Sequence, residues 1–246
     1  MAVADTLRTI DLPTHLMLPQ ENSFFLKSVG ESFTGAFNPR PRSGGARYRR
    51  WICSLTLNTL GLDEDRDLRF EWEAFIHSLD GTATCLRIFD VTRRLPRGVA
   101  AGFYAGQQDR TEYFRTSGSS AWSQTTGSAR VGGAGFCLLQ ADAARNADAI
   151  VLSGLTANAT VFKPGDLLEI GGNLHEVRVE AVSDASGHSA VQLNNRLWKP
   201  ALAGDMVNLV DPKGRFVLMD AEQGKARRSG VLSSTSIEAI EVPYVE

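Results

Sequence analysis

Only one stretch of this 246-residue chain carries a helical hydrophobic period. From Asp63 to Leu79, DEDRDLRFEWEAFIHSL places Leu68, Trp72, Phe75, Ile76 and Leu79 on one stripe of an amphipathic helix. Asp63, Glu64 and Asp65 crowd its start, where the helix dipole favours negative charge, and Gly81 follows its end. This predicts a helix over 63–79 and leaves the rest to short segments punctuated by 23 glycines and 9 prolines. Those segments read as β. Trp51, Cys53, Leu55 and Leu57 alternate with Ser54 and Thr56, and short apolar runs recur at 85–91, 149–155, 190–193, 206–210, 215–219 and 236–242. LLEI, then Gly171-Gly172-Asn173, then LHEVRVEAV reads as a hairpin over 166–182.

The organisation along the chain changes twice. Residues 99–135 are rich in Gly, Ser, Thr and Gln, with little apolar period, and are longer than an ordinary connection. Asp211-Pro212-Lys213-Gly214 is a turn sequence ahead of a fresh strand. Between the two lies a set of closely spaced short strands of the kind that builds a small barrel. The strands at 215–219 and 236–242 are too few to form a sheet alone, and 51–57 offers them one. The expected division is therefore 1–98 with 211–246 as one domain, and 99–210 inserted, opening on a long loop over 99–135.

Composition and motifs narrow the chemistry. A formal net charge of −2 argues against nucleic acid or an anionic membrane as the main ligand, and no apolar run is long enough for a transmembrane helix. Asp5, Arg8 and Asp11 interrupt the region where a signal peptide would be apolar. Cys53, Cys85 and Cys137 are odd in number and widely spaced, which fits a reducing compartment. No nucleophile elbow, P-loop or CxxC is present. Asp63, Asp65 and Asp67 fail as a calcium loop, because Leu68 stands where Gly is required and Ala74 where Glu is. His15, His77, His175 and His188 are not at metal-ligand spacing. The expectation is a protein that is not an enzyme and needs no cofactor or metal.

Two constellations remain as interface candidates. Arg40, Arg42, Arg47, Arg49 and Arg50 surround Ser43-Gly44-Gly45 and form a local basic patch for an acidic neighbour or a channel wall. Tyr104, Tyr113 and Trp122, with Phe103 and Phe114, lie in the long loop and are residue types that anchor interfaces or stack on sugars. For the core, Trp51, Leu68, Trp72, Phe75 and Leu79 are the expected packing residues.

The order of segments resembles a known family. RRWICSLTLNTL, a helix ending WEAFIHSLDG, then CLRIFDVTRRLPRG is similar to the first part of phage distal tail proteins. ADAIVLSGL, VFKPGDLLEIGGNLHEV, SAVQLNNRLWKPALAGDMV and DPKGRFVL resemble the second half of that family and of related minor tail proteins. The resemblance covers most of residues 46–242 and rests on apolar and turn patterns. It implies a mainly β fold: a β-sandwich or barrel ring domain with one packed α-helix, plus a small OB-like or galectin-like β-barrel. It implies a structural virion protein at the tail tip, made in the host cytoplasm. Its partners would be copies of itself in a hexameric ring, the tail tube protein, the baseplate hub protein and the tape measure protein. The competing readings are a carbohydrate-binding module, with Tyr113, Trp122 or Trp198 as stacking faces, and an OB-type nucleic-acid binder. Residues 136–210 carry few basic residues, which weakens the last.

Overall fold

The fold is mainly β. A computed structural model describes residues 8–13, 21–29, 32–35, 38–43, 48–60, 71–79, 83–98, 136–220, 227–229 and 232–242. The chain divides into two compact units, one formed by 1–92 with 213–246 and the other by 93–212. The crossing points thus fall at 92/93 and 212/213, beside the breaks read from LPRG and DPKG.

In the first unit, β1 (Arg8–Asp11), β2 (Glu21–Val29), β3 (Ser32–Gly35), β4 (Asn38–Ser43), β5 (Tyr48–Leu60) and β6 (Thr84–Phe89) precede the inserted unit. β15 (Lys213–Leu218), β16 (Arg227–Ser229) and β17 (Leu232–Glu241) follow it. All but β3 and β4 build a curled sheet of order β1-β6-β15-β17-β5-β2, with β16 paired to β17, and β3 and β4 pair with each other. Only β1 and β6 run parallel; the other pairs are antiparallel. β6 and β15 are direct neighbours, Phe89 opposite Lys213, so the second unit occupies the place of a hairpin turn. Trp51, Cys53 and Leu55 are buried and Ser54 and Thr56 only half so, as the alternation over 51–57 predicts, but Ile52 between them is buried too. Phe216 lies in the same core and meets Phe24 edge to face at 5.7 Å.

The described helix, α1, spans 71–77 and runs into a turn at 78–79. Trp72, Ile76 and Leu79 follow i, i+4, i+7 spacing and are buried. Phe75 stands at the flank of that stripe and stays half exposed, 6.0 Å from the Trp72 ring, so its expected full burial is not met. Leu68 and the start of the expected helix lie outside the described residues.

The second unit contains β7 (Phe136–Leu139), β8 (Ala149–Ser153), β9 (Thr160–Phe162), β10 (Leu167–Ile170) and β11 (Asn173–Glu176). β12 (Ala181–Val182), β13 (Ser189–Gln192) and β14 (Met206–Asn208) complete it. Six strands form the order β11-β10-β14-β7-β8-β13, and β12 pairs with β9 separately. The two edges of the six-stranded sheet then meet. Val177 bridges Leu193, Arg178 N–H donates to the Gln192 carbonyl at 2.8 Å, and Asn194 N–H donates to Glu176 at 2.8 Å. These bonds close the sheet into a small antiparallel barrel, leaving no long unpaired edge there. Inside it lie Leu139, Leu152, Phe162, Leu168, Val191 and Val207, all nearly inaccessible.

Local chemistry explains how this barrel begins and ends. Asp166 of the PGD turn is buried and accepts bonds from Lys163 N–H at 2.8 Å, Arg97 N–H at 3.0 Å and Arg97 Nε at 2.8 Å. Arg97 also donates to the Pro164 carbonyl. A Cβ on Gly98 would stand 2.3 Å from the Val161 carbonyl oxygen, so only glycine lets these backbones approach. At the other end, Arg94 forks onto Asp211 with bonds of 2.6 and 2.7 Å, and Asp211 N–H returns to the Arg94 carbonyl at 2.8 Å. The two ends of the unit are therefore clipped side by side.

Candidate functional site

β2 and β5 form one antiparallel pair, and β3 and β4, between them in the chain, form another. β2 and β5 pair from Glu21↔Thr56 to Val29↔Tyr48, and β3 and β4 pair through Ser32↔Ser43 and Phe33↔Arg42. The register of β3–β4 shifts between Phe33 and Gly35, and this pair is a two-stranded sheet of its own. The described members of the expected basic patch fall on β4 and β5. Arg40 and Arg42 lie on β4, while exposed Arg49 and half-buried Arg50 open β5. The structure adds Lys27, which pairs opposite Arg50 and is exposed. Arg47 lies outside the described residues, as do Tyr104, Tyr113 and Trp122 with the rest of 99–135.

The second unit carries a cleft of about 270 Å³. It is walled by the β10–β11 hairpin with Asn173 and His175, by Trp198 and Lys199 beyond β13, and by Asp205 and Met206 at β14. Gly171 and Gly172, at φ 57° and 80°, form the two-residue hairpin turn at its edge, a conformation that favours glycine at both positions. Trp198 is only 7 % exposed, so it is part of the cleft wall and not the open stacking face expected of it.

His175 is fully buried. Its Nδ1 lies 3.3 Å from the Asn195 carbonyl oxygen. Asn195 is itself clamped, accepting from Glu176 N–H at 3.0 Å and donating to the Leu174 carbonyl at 2.7 Å. With the proton on Nδ1 directed at that carbonyl, Nε2 is an acceptor, and it has no hydrogen-bond partner. Burial pushes the imidazole down to about 4, against the opposing effect of the Asn195 carbonyl, so the ring is neutral near pH 7. The sequence placed His175 in a hairpin strand but assigned it no role. Asn195 and Trp198 are about twenty residues further on, and only barrel closure brings them to it.

Cys53, Cys85 and Cys137 are buried free thiols. Burial, with a lesser contribution from Asp90, pushes Cys53 far up, and burial pushes Cys137 to about 12. His77 is exposed on α1, and His188 sits 3.8 Å from Asp184 in an exposed turn. Among the described residues, no three His, Cys, Asp or Glu side chains converge as metal ligands, and no helix is long and apolar enough to cross a membrane. No protein-family model matches this chain, and no curated protein is a significant match.

Proposed function

We propose that this chain is a structural ring subunit of a phage-type tail tip, the distal tail ring joining the tail tube to the baseplate hub. The observation that carries this reading is the β3–β4 pair, which stands as a two-stranded sheet of its own. β4 carries Arg40 and Arg42, and a two-stranded ribbon is marginal in water by itself. An acidic face on a neighbouring subunit would hold it. Pro39 and Pro41 cannot donate backbone bonds, so the contact is made by side chains and not by strand addition. A barrel inserted between adjacent strands leaves the main sheet continuous, which suits a ring domain with an accessory barrel. The partners on this reading are like subunits in a hexameric ring, the tube protein, the hub and the tape measure protein.

Light scattering after size exclusion and electron microscopy of the full chain test the reading. Rings are expected, and replacing Arg40 and Arg42 with Glu should disperse them. A chain that stays monomeric at all concentrations, with no rings in micrographs, overturns it. The segment 99–135 carries a companion expectation: deleting 105–130 leaves a folded subunit that assembles poorly. The carbohydrate-binding alternative draws support from one observation, the cleft of about 270 Å³ in the second unit, though Trp198 in its wall is not an open stacking face.

A further inference from the structure

Four neighbouring strands of the barrel are apolar on the outside as well as the inside. Cys137, Leu139, Ile150, Leu152, Val191 and Val207 belong to its core. The residues alternating with them along each strand point outward. Across the order β14-β7-β8-β13 these include Met206, Phe136, Leu138, Ala149, Val151 and Ala190. Register sets them side by side: Met206 opposes Leu138, and Val151 opposes Ala190. Strands apolar on both faces are the pattern of a sheet covered on both faces. Here the outer face stays open, with Met206 59 % and Val151 37 % exposed and Ala149 and Ala190 exposed beside them.

The distribution of charge selects what covers it. The remaining outward positions on these strands are Ser153, Gln192 and Asn208, so the face itself carries no charge. Charge is met at its two margins, with opposite signs. Beyond β13, Arg178 donates to Gln192 Oε1. Beyond β14, buried Glu169 of β10 accepts from Asn208 Nδ2 at 2.9 Å. A two-fold axis parallel to the strands, between the middle pair β7 and β8, lays the β13 margin of one copy over the β14 margin of the other. Each Arg178 then approaches Glu169 of the partner subunit. Residues near the axis meet their own counterparts, where any charge would face its like, and none is present. We infer that the outer β14-β7-β8-β13 face is a two-fold docking surface for a second copy of this chain, packed sheet on sheet. Four strands span roughly 15–20 Å, less than a standard interface, so pairing is weak and depends on concentration. The inference does not rest on the ring reading.

The test uses the full chain with Arg40 and Arg42 replaced by Glu, so that rings do not mask the contact, beside the wild type. Sedimentation equilibrium should show a monomer–dimer equilibrium. The native thiols are buried, so Val151→Cys with a short bis-maleimide should give a covalent dimer. Val182→Cys, 58 % exposed but on β12 outside this face, should give none. Val151→Lys and Val151→Glu should each weaken pairing about tenfold or more. An equimolar mixture of the two should restore it, because a two-fold contact brings this position of one copy to the same position of the other. A chain monomeric up to about 1 mM, equal crosslinking at Val182→Cys and Val151→Cys, or a mixture that pairs no better than either variant alone would each overturn the inference. A monomer whose Val151→Cys resists maleimide would place another segment of the same chain on this face, and would overturn it too. Rings are read separately by electron microscopy of the wild type, so either reading can fail without the other.

Discussion

Burial decides what single residues do in this protein. The His175 pKa is held below its unfolded value, so the unfolded chain binds the proton first as pH falls. Its contribution to the stability of the barrel unit is therefore full above about pH 6.5 and lost progressively as pH falls toward 4. The loss should total about 3 kcal/mol. Urea unfolding of the barrel unit at pH 7 and pH 4.5, compared with His175→Gln, checks this: the wild type should show the steeper fall. Trp72 offers a second case, at 2 % exposure on α1. Trp72→Ala should cost about 3–5 kcal/mol in the first unit, and a loss under about 1 kcal/mol would show that the helix does not anchor that core.

Among elements, those with a clear period were legible and the polar ones were not. β8 and β13 were legible as short apolar runs, although AIVLS and SAVQ do not alternate in polarity as their burial does. The β10–β11 hairpin was legible from Gly171-Gly172, because few other pairs tolerate positive φ in succession. β1 to β4 went unread. NPRPRS in β4 has two prolines and no apolar alternation, and only pairing with β3 makes it a strand. β9, at three residues, is too short to carry a period. The LPRG and PGD motifs were visible singly, but their junction at Arg97–Asp166 was not, since 69 residues separate them. Gly98→Ala would force its Cβ against the Val161 carbonyl and separate that junction. A lowered thermal midpoint of the barrel unit, with the sheet unit unchanged, is the expected calorimetric result.

The whole molecule is a sheet interrupted by a barrel. Residues 93–212 have their own core and adjacent ends joined by Arg94–Asp211, so this fragment should fold alone, with a cooperative unfolding transition close to that in the full chain. Joining residue 92 to 213 through a short turn should likewise preserve the sheet unit, because Phe89 and Lys213 already face each other across β6 and β15. Circular dichroism and denaturant melts of the two pieces check both outcomes. A molten fragment from 93–212 would show that the barrel depends on the rest of the chain.

The sequence by itself determined the β-rich class, the helical stripe through Trp72 and Ile76, the glycine turn at 171–172 and the places where the chain changes character. Each depends on neighbours within a few residues, where period and backbone preference act directly. Tertiary structure alone decided which strand lies beside which, the closure of the barrel through Val177 and Leu193, and the pairing of Arg94 with Asp211. It also decided that His175 meets Asn195 with its second nitrogen unpaired. Those outcomes depend on contacts distant along the chain, and local period carries no information about them.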